Sequence, residues 1–560
     1  MKILLAACNA KYIHSNPAVY DLRAFASEYK EHILLGEYTI NQTKDEILKE
    51  IYRSGAEVVC FSCYIWNISF VRELIFDLKK ILPGTAFWVG GPEVSFDAEN
   101  FLKEMPQVTG VMVGEGEETF LELARYYIEK KGTLADIRGI AFRENGEIFH
   151  NGWRKVMDLS RVPFAYEQTE DFANRIIYYE SSRGCPFSCS YCLSSIDKKL
   201  RFRNLELVKK ELQFFLDKKV PQVKFVDRTF NCKHDHAMEI WKYILEHDNG
   251  VTNFHFEISA DLLREEELEL MSRMRPGLIQ LEIGVQSTNP DTIRAIHRNM
   301  DLKKLEASVA RVKSFGNIHQ HLDLIAGLPC EDYESFRRSF EQVYRMKPDQ
   351  LQLGFLKVLK GSSMYHEAQK YEILYKEKEP YEVLSTAWLS YEDILKLKMV
   401  ESMVEVYYNS GQFRKTLSWI ETFYQEMFSF YESLGAYYEE KGYEEISHSR
   451  LRRYEILLEF LKERTQLPVN TASQHMVYDL YLREKLKKRP VFAMDQKPYE
   501  ASVRNYRKAN KIPKTAHIEV FGDGSAVLFD YEARDPLTNN ARAEQIFLER
   551  NPVNDIETEA

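Results

Sequence analysis

Three cysteines in residues 183–192, which read RGCPFSCSYC, have a spacing suited to binding iron. Cys185, Cys189 and Cys192 form the pattern C-x3-C-x2-C, and an aromatic residue, Tyr191, precedes the last cysteine. Three thiolates at this spacing can hold one iron-sulfur cluster and leave one iron without a protein ligand. That iron can bind a small molecule and pass an electron directly to it. A structural zinc site, which would need a fourth ligand, and unrelated buried thiols are the alternatives.

Short apolar stretches alternate with helix-length segments around and after this motif. The predicted strands of this region are residues 176–180, 223–226, 254–258, 279–285, 319–325 and 350–355. Six strands alternating with helices predict a partial (β/α)6 barrel over residues 166–365, with catalytic groups at the carboxyl ends of the strands. Polar residues stand at or near those ends, namely Asp227, Glu257, Gln286, Arg298 and Asp323. Each of them could instead cap a neighbouring helix.

Residues 1–165 show a similar alternation and predict a Rossmann-like α/β domain with a parallel sheet. The buried runs are residues 2–7, 58–62, 86–89 and 110–113, and they are separated by helix-length segments such as 67–82. Ligands of such sheets lie beyond the carboxyl ends of the strands. The loops at those ends contain His14, Ser62 and the pair Gly90 and Gly91, whose lack of side chains lets a bulky ligand approach the backbone. A module that has lost its ligand is the alternative.

The cysteine motif resembles that of the radical SAM superfamily, in which the open iron chelates S-adenosylmethionine (SAM). The segments FEIS, GVQS, IHR and DLIAGLP resemble those of the coproporphyrinogen dehydrogenase type. This resemblance implies that Glu257, Gln286, Arg298 and Asp323 contact SAM. It also places Asp227 near the SAM amino group, although the family's Gly-Gly-Glu is absent, and Tyr191 over the adenine and the [4Fe-4S] cluster.

The first domain resembles the cobalamin-binding domain of methionine synthases and mutases, in which a D-x-H-x-x-G loop, an S-x-L element and a Gly-Gly pair surround the nucleotide tail. Ser62 and the pair Gly90 and Gly91 match in position. The first loop reads YIHSNP, with Tyr in place of Asp and Pro in place of Gly. The resemblance implies that His14 either ligates cobalt, or packs against the corrin or lines the substrate side with the lower cobalt face left to water.

Residues 366–560 predict a mostly helical domain that ends in a β-hairpin. Helices are predicted to begin at residue 390 and to cover residues 413–430, 431–441 and 448–462, and GDG at residues 522–524 is typical of a hairpin turn. This region resembles an uncharacterised helical tail of some cobalamin-type radical SAM proteins. We expect it to cover the barrel mouth and select the substrate.

Composition indicates a globular enzyme of about three domains. The chain has 560 residues, 44% hydrophobic residues and a net charge of −10, which argues against a protein coated for nucleic-acid binding, although local basic runs leave an RNA partner open. Its eight cysteines show no disulfide-like spacing, and neither a targeting signal nor a membrane span is expected. These features predict a reducing, cytoplasmic location.

The combined resemblance implies a cobalamin-dependent radical SAM enzyme of class B, with methyl transfer to an unactivated carbon as the predicted reaction. In that family the reduced cluster cleaves SAM to a deoxyadenosyl radical, the radical removes a substrate hydrogen, and methylcobalamin supplies the methyl group. An electron donor such as flavodoxin or ferredoxin is implied. The substrate is open among small molecules, lipids, peptides and RNA. An oxidoreductase or cyclase that keeps cobalamin without methyl transfer, and a sensor without turnover, are the alternatives.

Overall fold

The computed structural model describes residues 1–166, 175–196 and 198–548. The chain divides into two compact units. Unit 1 comprises Met1–Ile318, Ile325–Tyr333 and Phe355–Tyr391, and unit 2 comprises His319–Leu324, Glu334–Gly354 and Glu392–Ala560. Among the described residues, no helix is both long and apolar enough to cross a membrane.

Unit 1 begins with a seven-stranded sheet. Its strands are β1 (Ile3–Asn9), β2 (Ile33–Thr39), β3 (Val58–Ser62), β4 (Ala86–Gly90), β5 (Gly110–Met112), β6 (Ile140–Glu144) and β7 (Glu147–His150). The order is β2-β1-β3-β4-β5-β6-β7. The first five strands in this order are parallel, β6 is antiparallel to β5, and β7 is antiparallel to β6. The four predicted buried strands are present, and β2, β6 and β7 extend the sheet beyond them.

Apolar side chains cover both faces of this sheet. In β1, Leu4 and Ala6 belong to one buried cluster, whereas Ile3 and Leu5 belong to another, because successive side chains of a strand point to opposite faces. The helices that supply the rest of these clusters are α1 (Pro17–Phe25), α2 (Lys44–Ser54), α3 (Ile68–Ile81), α4 (Pro92–Ser95), α5 (Ala98–Glu104) and α6 (Glu117–Glu129). A sheet buried on both faces leaves the strand ends as the place for a ligand.

A second parallel sheet follows in unit 1. The strands of this region of the chain are β8 (Ile177–Tyr179), β9 (Ser182–Arg183), β10 (Arg201–Phe202), β11 (Gln222–Phe225), β12 (Asn253–Ile258) and β13 (Ile279–Gln286). Strands β8, β11, β12 and β13 pair in that order, and β9 pairs with β10 in a separate two-stranded ribbon. The helices of this region are α7 (Leu205–Asp217), α8 (His234–Glu246), α9 (Glu265–Ser272), α10 (Pro290–Ala295) and α11 (Leu302–Phe315).

The alternation continues along the chain through the predicted end of the barrel. The next elements are β14 (His319–Ala326), α12 (Tyr333–Arg345), β15 (Gln350–Phe355), α13 (Ser363–Glu367), β16 (Leu374–Tyr375) and β17 (Val383–Ser385). The six barrel strands predicted from the sequence are therefore all present as strands. The predicted domain boundary at residue 366 stays a prediction.

Unit 2 is mostly helical and ends in an antiparallel sheet. Its remaining elements are α14 (Tyr391–Met403), α15 (Arg414–Ile420), α16 (Met427–Glu440), α17 (Arg450–Arg464), α18 (Val469–Arg483), α19 (Glu500–Ala509), β18 (His517–Val520), β19 (Ala526–Arg534) and β20 (Ala541–Ile546). Strands β18 and β19 form the predicted hairpin, to which β20 adds a third strand. A π-helix over Val404–Asn409 continues α14.

The prediction of a single helix over residues 413–430 is wrong, because a non-helical segment separates α15 from α16. The start of α16 is fixed by α12, whose Glu341 accepts a hydrogen bond from the backbone N–H of Phe428 over 2.5 Å. Arg337 of α12 also pairs with Glu426, which precedes α16. Partners distant in sequence therefore decide where this helix begins.

Asp479 of α18 caps the N-terminus of α15 from another helix. Its carboxylate accepts hydrogen bonds from the backbone N–H of Lys415 at 3.0 Å, and from the N–H and hydroxyl of Thr416 at 2.8 and 2.7 Å. The side chain is buried, and burial raises the pKa of Asp479 to about 6. A carboxylate at a helix N-terminus satisfies N–H groups that lack partners within the helix.

We predict that Asp479→Ala lowers the free energy of unfolding by about 2 kcal/mol, because three donors lose their acceptor. Asp479→Asn should cost less, since its amide oxygen still accepts. Because the folded-state pKa lies above the unfolded value, Asp479 costs stability as the pH rises from about 4 to about 6, and Asp479→Asn should remove that part of the pH dependence. Urea titrations followed by circular dichroism measure both effects.

Glu444→Ala, at an exposed position, is the control for the loss of an acidic side chain. An unfolding midpoint of Asp479→Ala equal to that of Glu444→Ala would contradict the capping role.

Candidate active site

The three cysteines of the motif lie in the loop between β9 and β10 of unit 1. The loop is anchored at Ser190, whose N–H donates to the carbonyl oxygen of Ile296 over 2.9 Å and whose carbonyl accepts from the N–H of Met364 over 2.8 Å. The N–H of Cys192 donates to the carbonyl oxygen of Cys189 over 3.2 Å. Backbone hydrogen bonds thus fix the loop independently of the thiols.

The thiols themselves are free to act as ligands. Cys185 and Cys189 are buried and Cys192 is half-buried, and all eight cysteines of the chain are free. In the ranges that the structure describes, no three His, Cys, Asp or Glu side chains are grouped to hold a single metal ion. The ligands of a zinc site converge on one ion, whereas the ligands of an iron-sulfur cluster bind separate irons.

Arg298 lies beside the cysteine loop. Its Nη1 donates to Sγ of Cys189 over 3.9 Å, and its Nη2 donates to the carbonyl oxygen of Gly284. Burial raises the pKa of the Cys189 thiol, and the guanidinium of Arg298 acts in the opposite direction. Because metal binding requires the thiolate, Arg298 favours the form of Cys189 that can act as a ligand.

Gln286 packs beside Arg298 because position 284 is a glycine. A Cβ at Gly284 would lie 2.3 Å from Nε2 of Gln286 and 3.6 Å from Nη2 of Arg298. Within the described chain, Oε1 of Gln286 and Nε of Arg298 are buried and have no hydrogen-bond partner. Since buried polar atoms nearly always have partners, this acceptor and this donor fit a polar ligand next to the cysteine loop.

Asp227 and Glu257 stand at the ends of neighbouring strands but have different surroundings. Asp227 is fully buried and accepts hydrogen bonds from the backbone N–H of Ser181 at 2.9 Å and from the hydroxyls of Ser181 and Ser182 at 2.7 and 2.6 Å. Burial raises the pKa of Asp227 to about 7. Glu257 is 26% exposed and lies 4.0 Å from Nη1 of Arg228. The contacts of Asp227 therefore hold the strand before the cysteine loop, and its predicted contact with SAM stays a prediction.

Asp323 lies on β14, in the part of the chain that belongs to unit 2. Its Oδ1 lies 2.9 Å from Nε2 of His321, two residues before it on β14. Side chains two residues apart on a strand point to the same face, so the two groups pair directly.

A cavity of about 980 Å³ lies within unit 1. Loops of the first sheet contribute Ser62, Gly90 and Gly91 to its wall, and the cysteine loop contributes Tyr191 and Cys192. Aromatic side chains account for much of the remaining wall, which includes Phe61, Tyr64, Phe96, Trp153, Phe164, Tyr166, Tyr178 and Tyr179. The cavity thus brings the predicted cobalamin loops together with the last cysteine of the predicted cluster.

His14 lies outside the wall of this cavity. Its Nδ1 is 2.6 Å from the hydroxyl oxygen of Tyr178, and Tyr178 does line the cavity. Nδ2 of Asn16 donates to the hydroxyl oxygen of Ser62 over 3.0 Å, and the backbone N–H of Asn16 donates to Glu37 over 3.0 Å. Polar contacts to the second and third strands therefore fix the loop that contains His14.

Arg183 is the centre of an ionic network that the sequence did not reveal. Its Nη2 lies 2.8 Å from Glu117 and 2.7 Å from Glu180, and its Nη1 lies 3.5 Å from Glu115. Nη1 of Arg201 also lies 2.5 Å from Glu115. The sequence signals were the arginine two positions before Cys185 and the GEGE turn after the fourth buried run, but nothing in their spacing links them.

Family models match three parts of the chain. A model of the B12 binding domain matches residues 4–124, and a model of the Radical SAM superfamily matches residues 179–343. A model of a protein family of unknown function, DUF4080, matches residues 369–523. The first two matches confirm the predicted resemblance and the predicted kinds of cofactor: cobalamin, SAM and an iron-sulfur cluster.

Curated relatives match half or more of the chain. An uncharacterized methyltransferase, PH0819, of Pyrococcus horikoshii is 24% identical over 333 residues, which are 57% of this chain and 70% of the relative. The cobalamin-dependent radical SAM methyltransferase TokK of Streptomyces tokunonensis is 25% identical over 303 residues, which are 50% of this chain and 44% of TokK. The chain thus spans less than half the length of TokK.

Among solved structures, the cobalamin-dependent S-adenosylmethionine radical enzyme OxsB, with aqua-cobalamin and S-adenosylmethionine bound, has a similar fold. The TM-score is 0.60 at 14% identity, and the match covers 86% of this chain and 78% of OxsB. At this identity the likeness establishes the fold, and it confirms the predicted α/β architecture of a Rossmann-like domain, a partial barrel and a helical C-terminal region.

We predict that alanine at the two adjacent glycines of the cavity wall changes the free energy of unfolding at one position only. Gly91 has a φ of +114°, and a Cβ there would lie 2.5 Å from the carbonyl oxygen of Cys63, so Gly91→Ala should lower the free energy of unfolding by about 2 kcal/mol. A Cβ at Gly90 would meet Met112 at an ordinary distance of 3.4 Å, so Gly90→Ala should leave stability within about 0.5 kcal/mol of the unchanged protein.

Thermal or urea unfolding of both variants measures the difference. Equal stability of Gly91→Ala and Gly90→Ala would mean that the backbone at Gly91 relaxes freely.

Proposed function

We propose that this chain, a radical SAM protein with a B12-binding domain, is a cobalamin-dependent methyltransferase that acts on an unactivated carbon. The observation that supports this most directly is the cavity whose wall includes both Gly90 and Gly91 of the first sheet and Cys192 of the cysteine loop. A methyl donor and a radical source must reach one substrate, and a shared cavity allows this. The aromatic side chains in its wall would help to exclude water from reactive species.

Cys185, Cys189 and Cys192 would hold a [4Fe-4S] cluster as thiolates. When bound, the cluster supplies the electron that cleaves SAM, and cobalamin supplies the methyl group. The guanidinium of Arg298 favours the thiolate of Cys189, to which it donates a hydrogen bond. The aromatic ring of Tyr191, in the cavity wall beside Cys192, would limit access of water to the cluster.

Arg298 and Gln286 would bind SAM through the two atoms that lack partners. Nε of Arg298 is a donor suited to a carboxylate, and Oε1 of Gln286 is an acceptor suited to a hydroxyl or an amino group. We assign Glu257 to the same cofactor on the resemblance of its segment, and for Asp323, which belongs to unit 2, contact with SAM stays a prediction from its own segment. Asp227 would act indirectly, since its hydrogen bonds to Ser181 and Ser182 position the strand that leads into the cysteine loop.

Ser62, Gly90 and Gly91 would bind cobalamin at the carboxyl ends of the first sheet. For His14 we favour a positioning role over the predicted cobalt ligation, because His14 lies outside the cavity wall and contacts it through Tyr178, to which its Nδ1 is hydrogen-bonded. Tyr178 then presents its ring and hydroxyl to the cavity in place of the histidine.

The substrate, partners and location are part of the same proposal. We assign substrate selection to the domain over residues 366–560, and reduction of the cluster to an electron donor such as flavodoxin or ferredoxin. A reducing cytoplasm would keep the eight free cysteines as thiols.

We predict that Cys189→Ala abolishes the formation of deoxyadenosine from SAM under anaerobic, reducing conditions. Loss of one of three thiolates should also lower the iron content after reconstitution, because the cluster then lacks a ligand. Iron analysis and chromatography of the nucleoside products measure both effects. Cys330→Ala is the matched control, because it removes a half-buried thiol outside the motif and keeps a Cβ at the same backbone conformation.

Product analysis separates methyl transfer from a radical reaction without it. Methyl transfer consumes a second SAM as S-adenosylhomocysteine for each deoxyadenosine, whereas an oxidoreductase or cyclase forms deoxyadenosine alone.

Formation of deoxyadenosine by Cys189→Ala at the rate of the unchanged protein would refute the proposal.

A further inference from the structure

Asp21 is a carboxyl group in the cavity wall that the proposed cofactor sites do not use. It lies on α1, the helix that follows the loop containing His14, and it is half-buried. It lines the cavity together with Ser62 and Gly91. Within the described ranges no hydrogen bond to its carboxyl group is found, whereas most half-buried carboxylates of proteins have donors nearby.

The two arginines near Asp21, Arg183 and Arg203, form ion pairs with other carboxylates. Arg183 pairs with Glu117 and Glu180, at 2.8 and 2.7 Å. Arg203 binds Glu211 through two nitrogens, at 2.9 and 2.5 Å. Both guanidiniums influence Asp21 through their charge, and no hydrogen bond from either to Asp21 is found among the described residues.

The same surroundings disfavour ionisation of Asp21. Burial raises the pKa of Asp21 well above its usual value, and the carboxylates of Glu117 and Glu180 raise it further. Arg183 and Arg203 act in the opposite direction without cancelling the increase. The charge of Asp21 contributes to raising the pKa of Tyr64 and of Tyr166, so both lie near it, and neither side chain carries a positive charge that would stabilise the carboxylate.

A protonated carboxyl group has a donor that an ionised one lacks. The rest of the cavity wall includes aromatic rings and ion pairs whose partners are within the protein, and a ligand bound there can supply an acceptor for an O–H at Asp21. The periphery of cobalamin carries several carboxamide groups, and their carbonyl oxygens are uncharged acceptors that match such a donor.

We infer that Asp21 is a positioning residue that, as its neutral acid, donates a hydrogen bond to a carboxamide carbonyl of the corrinoid in this cavity. This inference rests on the proposed function in one respect, namely that the cavity binds a corrinoid. It concerns binding only, and no proton or electron is transferred.

Binding of methylcobalamin by the full chain tests this role of Asp21 without turnover. Titrations followed by absorbance, at several values between about pH 6 and about pH 9, give the dissociation constant of each variant. Asp21→Asn keeps a donor at the same place and cannot ionise, so it should bind within about threefold of the unchanged protein at low pH. Asp21→Ala should bind about tenfold more weakly, because the ligand acceptor loses its donor.

The pH dependence distinguishes a hydrogen-bond donor from a group that only shapes the cavity. Affinity of the unchanged protein should fall as the pH rises above the pKa of Asp21, by up to about tenfold per pH unit, because the carboxylate cannot donate. Asp21→Asn should be independent of pH over the same range. Glu28→Gln, which alters an exposed carboxylate on the segment after α1 that pairs with Arg125, is the control and should follow the unchanged protein.

Two results would overturn this role of Asp21 while methylcobalamin still binds. Weak binding by both Asp21→Asn and Asp21→Ala would show that the carboxylate is the binding form, and equal binding by all variants would show that Asp21 does not contact the corrinoid. If neither the unchanged protein nor Glu28→Gln binds methylcobalamin at any pH, the proposed function fails, and this inference fails with it.

Discussion

The ion pairs of Arg183 connect the first sheet to the cysteine loop. Arg183 lies two residues before Cys185, and its guanidinium binds carboxylates of the turn that follows β5. Half-buried charges of both signs require close pairing, because each alone would carry a large desolvation cost. The pairing therefore constrains two loops, from two different sheets of unit 1, to one position relative to each other. The cavity that they line inherits its shape from this constraint.

A second set of contacts explains why the first loop departs from the cobalamin-binding pattern. Where the family has an Asp that orients a histidine, this chain has Tyr12, and His14 bonds instead to Tyr178. Asn16 and Glu37 hold the loop against the neighbouring strands. In place of that carboxylate the hydroxyl group of Tyr178 meets Nδ1 of His14, and the hydrogen bonds of Asn16 to Ser62 and Glu37 keep the loop in place.

Much of the fold was predictable because buried parallel strands are continuous apolar runs. Residues 58–62 were predicted and observed with the same bounds, whereas β2 was missed, since Gly36 and Glu37 interrupt its apolar run and it lies at the sheet edge. The break before α16 was missed because aromatic residues keep the helical period across it. Glu341 and Arg337, which fix the start of α16, are distant in sequence and carry no local signal.

The residues of the candidate site could be predicted where their chemistry depends on spacing in the sequence. They could not be predicted where it depends on which charged side chains pair in the folded chain. The three cysteines lie in one short segment, and the two glycines of the Gly-Gly pair are consecutive, so residue type and spacing identify both groups. The roles of Asp227 and Asp21 are set by neighbours instead: serine hydroxyls surround the first, whereas the second faces carboxylates whose arginines are already paired. Two aspartates therefore have different surroundings: Asp227 accepts hydrogen bonds that fix the backbone, whereas Asp21 lines the cavity.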